Sequence, residues 1–266
     1  MNHERPEADK RLPYGEGIYR RRTRLVAEPE RVVANLEDDF HRFRVELLHD
    51  ARAIRAVQGE AGRFPWTACP GAFRPLQAFV GAALGQSPAA ASRGLNPREN
   101  CTHLFDLAVL ALTHASRGGR RQYDMAVPDR VDGRTRATLH CDGELALAWE
   151  IEGSQISGPA PWSGHNLRGR DFLHWAEAEL DPDTAEAALA LRRSVFIANG
   201  RLGDLDRTPN AGSMLRWAAN TCHSFTPGIA EEAWRVRGAT LEFTHQPERL
   251  LADLEVPEEL RGRCRL

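Results

Sequence analysis

The sequence predicts an α+β fold of two units, each an antiparallel β-meander followed by a pair of helices. Residues 18–60 alternate apolar and polar side chains with the period of two that half-buried strands show. Residues 135–151 repeat this alternation on both sides of Asp142-Gly143, a dipeptide typical of hairpin turns. Apolar residues at helical spacing follow each β region. Because the order of strands then helices occurs twice, the pattern suggests a pseudo-duplication.

The first meander is read from four short segments. The clearest is 43–47, where Phe43, Val45 and Leu47 alternate with charged residues and indicate a half-buried strand. A turn is expected at 49–52, because it separates this strand from another alternating run. The remaining strands are expected near 18–25, 31–36 and 53–60.

Two helices are predicted to follow the first meander. Pro70 suits the first turn of a helix that ends near Gly81. Asn100 is a favourable N-cap for the next helix. The expected core face of that second helix consists of Leu104, Leu107, Ala108, Ala111 and Leu112.

The second unit has the same order. Segments 135–141 and 144–151 form the predicted hairpin, and helices are expected at 171–180 and from Asp181-Pro182 to near Gly200. A further helix is expected around 229–236. The predicted domain organisation is therefore a disordered leader at 1–16, one α+β domain at 17–245 with halves 17–117 and 120–245, and a peripheral tail at 246–266.

Composition limits the class of protein. The chain has 266 residues, of which 42% are apolar and 27% charged, and its formal net charge is −2. These values are typical of a globular protein and do not favour nucleic acid or a membrane surface as a partner. The longest apolar run, 104–115, is shorter than the ~20 residues of a membrane span. The amino terminus lacks the apolar segment of a secretory signal, so we expect a cytoplasmic protein.

Five cysteines, an odd number, suit a reducing compartment in which thiols remain free. Cys69 and Cys101 each stand at the predicted start of a helix. Free backbone N–H groups and the positive end of the helix dipole stabilise a thiolate at such positions. The two thiols therefore predict a metal site or a thiol-based catalytic site.

The expected metal ligands are Cys69, Cys101 and one histidine, either His41 or His103, with Cys222 as a further ligand from the carboxyl-terminal region. Two thiolates and one imidazole with an open position are typical of catalytic zinc or iron sites. His103 and His41 are the candidate proton-transfer residues. Asp106 follows His103 by three residues on a helix, so it is expected to orient the His103 ring.

Several unusual motifs recur here in the order of a known bacterial family. They occupy 37–45, 65–71, 100–104 and 191–196. Over roughly residues 17–245 the chain resembles the family called domain of unknown function 2889. The resemblance implies that its recurring residues map onto His41, Cys69, Cys101, His103 and Cys222, while Cys141 and Cys264 fall outside the motifs.

A second resemblance is confined to 38–115. In that segment the chain is similar to the U-type iron–sulfur cluster scaffold proteins, in which a cysteine opens a helix and a later helix begins with adjacent histidine and cysteine. Cys69 with Gly81, and Cys101 with His103, are the equivalents here. The sequence departs from that pattern, because Thr102 separates Cys101 from His103 and His41 stands where those scaffolds carry cysteine.

Three functions follow as expectations. The first is an enzyme that uses one zinc or iron ion, held by Cys and His, on a small organic substrate, with lyase or hydrolase chemistry favoured. If the tryptophans line its pocket, the substrate is expected to be aromatic or apolar. The second is a metal-free enzyme that uses a Cys/His thiol site. The third is a non-enzymatic metal or iron–sulfur carrier. Sheet edges of the meanders also permit a homodimer.

Overall fold

The computed structural model describes residues 11–85, 96 and 99–254 of the chain. Its centre is one eight-stranded antiparallel sheet in the order β4-β3-β2-β1-β5-β6-β7-β8. The strands are β1 (Ile18–Glu28), β2 (Arg31–Asp38), β3 (Arg42–His49), β4 (Ile54–Arg63), β5 (Gly119–Pro128), β6 (Arg134–Cys141), β7 (Glu144–Glu152) and β8 (Gln155–Gly158).

Two four-stranded meanders make up this sheet, and β1 joins them by pairing with β5. The β1–β5 register runs from Ile18 opposite Pro128 to Ala27 opposite Gly119. The α+β class predicted from the sequence is therefore confirmed. The pseudo-duplication stays a prediction, and the halves 17–117 and 120–245 share one continuous sheet rather than forming two separate sheets.

Helices cover the sheet in two places. They are α1 (Thr102–Ala115), α2 (Asp171–Glu179), α3 (Pro182–Ala198) and the single turn α4 (Leu215–Ala218). Helix α1 packs on β1, β2 and β3, and α3 packs on β5, β6 and β7. The apolar stripe of α1 is fully buried, as its helical spacing predicts, at Leu104, Leu107, Ala108, Ala111 and Leu112.

Short 3₁₀-helices form much of the rest, and two of them replace a predicted α-helix. They lie at Cys69–Phe73, Pro75–Phe79, Asn199–Leu202, Leu205–Arg207, Ala211–Met214, His223–Phe225, Ala230–Glu232 and Pro247–Arg249. The helix expected from Pro70 to Gly81 is interrupted because Pro75 has no backbone N–H to continue the hydrogen-bond ladder. The helix expected at 229–236 is reduced to the single 3₁₀ turn Ala230–Glu232.

The segments outside the sheet are attached to it. Of the predicted disordered leader 1–16, residues 1–10 lie outside the described residues, and Arg11 donates hydrogen bonds to the backbone carbonyls of Arg201 and Gly203. The tail predicted as peripheral, 246–266, is described to residue 254. Leu250 and Leu251 are buried there, and Leu251 donates its N–H to Glu37, so this part of the tail is packed against the sheet. No helix among the described residues is long and apolar enough to cross a membrane.

A buried guanidinium connects the turn after β2, the end of β5 and the carboxyl-terminal segment. Arg201, 3% exposed, binds the carboxylates of Asp39, Asp129 and Glu242 at 2.7, 2.8 and 3.1 Å. Burial, only partly offset by Arg201, raises the pKa of Asp39 to about 8. The cluster is compact because the backbone of Gly17 lies directly against the guanidinium.

Candidate functional site

The site begins at the tight turn between β2 and β3. Asp38 Oδ1 accepts hydrogen bonds from the backbone N–H groups of Phe40 and His41, both at 2.8 Å. An aspartate side chain that binds the backbone two and three residues later stabilises such a turn. The same oxygen lies 3.0 Å from His41 Nδ1. The turn therefore fixes the His41 ring as well as the backbone.

Asp38 is a buried carboxylate whose two oxygens are fully hydrogen-bonded. Oδ2 accepts from Tyr19 Oη at 2.7 Å and from Arg21 Nη2 and Nε at 2.7 and 3.2 Å. Burial by itself would raise the pKa of Asp38, but His41 and Arg21 outweigh it and hold that pKa well below its usual range. An ionised Asp38 only accepts hydrogen bonds, so His41 carries its proton on Nδ1 and leaves Nε2 as an acceptor.

Cys101 and His103 are brought together at the start of α1. Cys101 is the N-cap residue of this helix, in extended backbone conformation, and His103 lies in its first turn. Cys101 Sγ lies 3.7 Å from His103 Nδ1. The His103 ring packs on the His41 ring with centroids 3.8 Å apart, and its Nε2 is 4.0 Å from Asp38 Oδ2. A chain of polar groups thus runs from Cys101 through His103 to Asp38.

The carboxyl-terminal region supplies the third thiol. Cys222 precedes the 3₁₀-helix His223–Phe225, and His223 donates its backbone N–H to the carbonyl of Asn100 at 3.0 Å. Cys69 Sγ lies 3.3 Å from the hydroxyl of Ser224. This loop therefore contacts both segments that carry the amino-terminal cysteines.

The three cysteines and two histidines line one cavity of about 920 Å³. Its wall includes Cys69, Cys101, Cys222, His41 and His103, so the residues that the sequence singled out come together from four different segments. The rest of the wall is mainly apolar and aromatic; it includes Phe40, Trp66, Phe196, Leu205, Met214, Trp217 and Phe225. A volume of this size suits a small organic molecule.

The thiols differ in protonation from the sequence-based expectation. Burial raises the pKa of Cys101 well above its usual value, although the backbone N–H groups of Leu104 and His103 at the helix start act in the opposite direction. Burial likewise raises the pKa of Cys69 to about 11 and raises that of Cys222. Burial therefore acts against the thiolates expected from the sequence, because removal from water outweighs the helix terminus.

The histidines are neutral as well. Burial lowers the pKa of His103 well below its usual value, and His41 and Arg21 act in the same direction. Burial also lowers the pKa of His41, despite the nearby Asp38 carboxylate. A neutral imidazole can accept a proton, so His103 is able to act as a base towards Cys101.

The group of metal-capable atoms in the structure differs from the set expected from the sequence. Among the described residues, Asp38, His41 and His103 offer ligand atoms within 4.8 Å of one another, and this group contains no cysteine. Of the predicted ligands, the two alternative histidines, His41 and His103, both belong to it. Cys69, Cys101 and Cys222 share the cavity, but their sulfur atoms complete no such group in the described part of the chain. Metal binding by the cysteines stays a prediction.

Asp106 has a different partner from the one expected. Its carboxylate binds the guanidinium of Arg193 on α3, with Oδ2 2.6 Å from Nε and Oδ1 3.2 Å from Nη2. His103 Nδ1 faces Cys101 instead, and His103 Nε2 makes no hydrogen bond. The expectation that Asp106 orients the His103 ring was therefore wrong, and Asp38 is the carboxylate nearest to that ring.

Two important residues were missed by the sequence-based site prediction, Asp38 and Arg21. The signal for Arg21 was present, since it shares a strand face with Tyr19, Thr23 and Leu25. A charged residue on the core face of a strand requires a buried partner of opposite charge. The acidic pair before His41 was the nearest source of one.

Comparison with known proteins finds a similarity within the first half of the chain. A family model described as protein of unknown function (DUF2889) matches residues 21–117, a shorter stretch than the 17–245 that the motifs suggested. The match gives no support to the iron–sulfur scaffold resemblance, and a search of curated proteins finds no significant match. The matched stretch contains His41, Cys69, Cys101 and His103, whereas Cys222 lies beyond it. Residues 21–117 are therefore similar to the DUF2889 family, as the motifs in the first half of the chain predict.

Proposed function

We propose that this chain is a cysteine-dependent enzyme that acts on a small organic molecule, with Cys101 as nucleophile and His103 as its base. The observation that carries the proposal is the 3.7 Å separation of Cys101 Sγ and His103 Nδ1 on the wall of the cavity. A nucleophile beside a base, with a third group next to the base, is the general arrangement of covalent catalysis.

The chemistry starts from a neutral pair. Cys101 is a thiol and His103 a neutral imidazole at neutral pH, so the proton must move as the substrate reacts. Sγ forms a bond to an electrophilic carbonyl carbon while His103 Nδ1 takes the thiol proton. The imidazolium then returns that proton to the leaving group, and water hydrolyses the resulting thioester. The contact between sulfur and nitrogen is long, as catalytic hydrogen bonds often are before substrate binds.

Asp38 and His41 support the base rather than touch the nucleophile. The His41 ring packs against His103 with the ring planes 31° apart, and it is itself held by Asp38. The ionised Asp38 lies 4.0 Å from His103 Nε2, where its charge stabilises an imidazolium. Because Asp38 already accepts three hydrogen bonds at each oxygen, its own position is fixed.

The test uses an aromatic activated ester, p-nitrophenyl phenylacetate, with mass spectrometry of the intact protein and its peptides. We expect an acyl adduct on Cys101 that is absent in Cys101→Ser and forms at least about tenfold more slowly in His103→Gln, within the range of general-base effects. Cys222→Ser is the matched control, because Cys222 lines the same cavity and is more exposed. Acylation confined to Cys222, or acylation of Cys101 at an unchanged rate in His103→Gln, would refute the proposal.

A metal-dependent enzyme is the second candidate, and one observation favours it. Asp38, His41 and His103 bring ligand-capable atoms within 4.8 Å, and His103 Nε2 is buried without a partner. The saturated Asp38 fits the role of the carboxylate that orients a metal-binding histidine better than the role of a ligand. The two imidazoles would then hold a zinc or iron ion, which would polarise a carbonyl or activate water.

Elemental analysis separates the two candidates. Purified protein with one equivalent of zinc or iron, lost in both His41→Gln and His103→Gln but kept in His223→Gln, would favour the metal enzyme. Substitution by cobalt(II) would show a sulfur-to-metal charge-transfer band only if a thiolate is a ligand. Protein that takes up less than a tenth of an equivalent from a zinc or iron buffer would eliminate this candidate.

A further inference from the structure

The charged side chains on the cavity wall all have the same sign. Among the described residues that line it, there is no aspartate or glutamate, whereas Arg192 and Arg193 both belong to the wall. Since the two histidines are neutral, the only full charges on the wall are positive. A cavity lined by charge of one sign and by apolar side chains favours an anionic group on whatever it binds.

The two arginines are not equivalent. The guanidinium of Arg193 is neutralised by Asp106 in a two-point ion pair. Arg192 has no carboxylate within 4.0 Å in the described part of the chain. Its Nε and Nη2 donate instead to the backbone carbonyls of Leu167 and Gly169, at 2.7 and 3.0 Å. Arg192 therefore contributes the uncompensated positive charge.

Arg192 also retains free hydrogen-bond donors. A guanidinium has five N–H groups, and the two carbonyls use one on Nε and one on Nη2. Nη1 makes no hydrogen bond to a described residue, so its two N–H groups and the second one on Nη2 are available. One N–H of Nη1 and the free N–H of Nη2 run parallel at the end of the guanidinium. A planar carboxylate matches such a pair of nitrogens with two parallel hydrogen bonds.

The position of the guanidinium is fixed before a ligand arrives. The two carbonyls hold one side of it, and its centre lies 5.0 Å from the Phe196 ring centroid. Burial lowers the pKa of Arg192 to about 10, so the group remains charged at neutral pH. A donor that is already in place loses little conformational entropy when it binds.

We propose that the natural ligand of this cavity is an apolar, aromatic carboxylic acid whose carboxylate binds Arg192. The inference rests on the proposed function only in treating this cavity as the substrate site. The apolar body would pack against the aromatic wall formed by Trp66, Phe196 and Phe225, which lines the same space. The carboxylate bound by Arg192 is not the reacting group, so a substrate of the thiol chemistry would carry a separate ester or thioester carbonyl for Cys101. The proposal thus adds a substrate class and a specificity-determining residue to that chemistry.

Binding of a matched acid and amide tests the proposal. The probes are 1-naphthaleneacetate and 1-naphthaleneacetamide, which share one aromatic body and differ in charge, and their Kd values are measured by calorimetry. We expect the acid to bind at least about tenfold more tightly than the amide, as one charge-assisted pair requires. In Arg192→Gln the ratio should fall to about two or less, and Arg192→Lys should restore part of it.

The ratio within one variant cancels any loss of folded protein, which matters because Arg192 also holds the 167–169 backbone. Arg168→Gln is the control, since Arg168 is exposed and does not line the cavity. It should leave the ratio unchanged. Equal affinities in the unmodified protein, no saturable binding of the acid, or an unchanged ratio in Arg192→Gln would each overturn the inference.

The same measurement on Cys101→Ser separates the two proposals. Acid binding does not require the thiol, so we expect the ratio to persist in this variant. If the ratio holds while the activated ester fails to acylate Cys101, the thiol mechanism is wrong and the acid-binding cavity stands. If the ester acylates Cys101 but the acid binds no more tightly than the amide, the acid-binding proposal is wrong and the thiol mechanism stands.

Discussion

Arg21 Nη2 lies 2.7 Å from Asp38 Oδ2, and both side chains are buried on the core side of the sheet. The pair joins adjacent strands, since Arg21 lies opposite Asp38 in the β1–β2 register. It also fixes the carboxylate that holds His41. One ion pair therefore links the stability of the sheet to the geometry of the candidate site.

Replacing Arg21 by methionine should leave Asp38 as an uncompensated buried charge. We expect the free energy of unfolding to fall by about 3–5 kcal/mol, the usual cost of breaking one side of a buried pair. Urea denaturation followed by tryptophan fluorescence measures this change. Arg134→Met is the matched control, because its pair with Glu152 is exposed, and it should leave stability unchanged within error. Equal effects of the two substitutions would contradict the proposed role of the pair.

The tautomer of His41 follows from its carboxylate partner. Because Asp38 is ionised, Nδ1 of His41 should carry the proton, and the ring should remain neutral at pH 7 since burial lowers its pKa. Long-range ¹H–¹⁵N correlation spectra of ¹⁵N-histidine-labelled protein distinguish Nδ1–H from Nε2–H. An Nε2–H tautomer for His41 in the unmodified protein would show that the 3.0 Å contact is not a hydrogen bond from His41 to Asp38.

Acid should destabilise the protein partly through His114. Burial, together with the nearby Arg121 and Arg117, lowers the pKa of His114 to about 4 in the folded state. Between pH 6.5 and 4 the unfolded chain therefore binds a proton that the folded chain does not. The free energy of unfolding falls as the pH falls through this range, by about 3 kcal/mol at most for this one group.

His114→Gln should make this acid-dependent loss of stability smaller. Above pH 7 His114 is neutral in both the folded and the unfolded chain, so its titration makes no contribution to stability there. Urea midpoints at pH 7.5, 6 and 4.5 give the slope for each variant. His174→Gln is the control, since His174 is exposed on α2 and should not change the slope. If stability depends on pH with the same slope in His114→Gln as in the unmodified protein, other groups account for the whole loss of stability in acid.

Gly17 should not tolerate a side chain. A methyl group there would lie 1.8 Å from Arg201 Nη2, and Arg201 cannot retreat because Asp39, Asp129 and Glu242 hold it. We expect Gly17→Ala to lower the free energy of unfolding by about 3 kcal/mol, the upper range for overpacking. Gly203→Ala, with nothing within 4 Å of the added carbon and an ordinary φ of −131°, should change it by less than ~0.5 kcal/mol. A thermal melt in which both variants match the unmodified protein would refute this account of the cluster.

Much of the fold could be predicted because its signals are local. The alternation around Phe43, Val45 and Leu47 predicts one buried face of a strand, and all three side chains are buried in β3. The spacing from Leu104 to Leu112 likewise reports the buried side of α1. The short strand β8 and the interrupted helix at 69–79 were not predicted, because their boundaries depend on neighbouring strands and on Pro75.

Within the site, residue types were predictable and their pairings were not. His41, Cys69, Cys101, His103 and Cys222 do line one cavity. Sequence spacing suggested that Asp106 supports His103, since three residues along a helix place two side chains on similar faces. Arg193, which is 87 positions away in the chain, takes that carboxylate instead.

The sequence by itself determined the α+β class, the family similarity of residues 21–117 and the side chains able to do chemistry, because periodicity and motifs are properties of neighbouring residues. Only the tertiary structure decided which thiol meets an imidazole, which carboxylate lies beside that imidazole, and that burial raises the pKa values of the thiols. These outcomes depend on burial and on contacts between distant segments. Desolvation in particular arises from the whole packed surroundings of a group, and no local pattern records it.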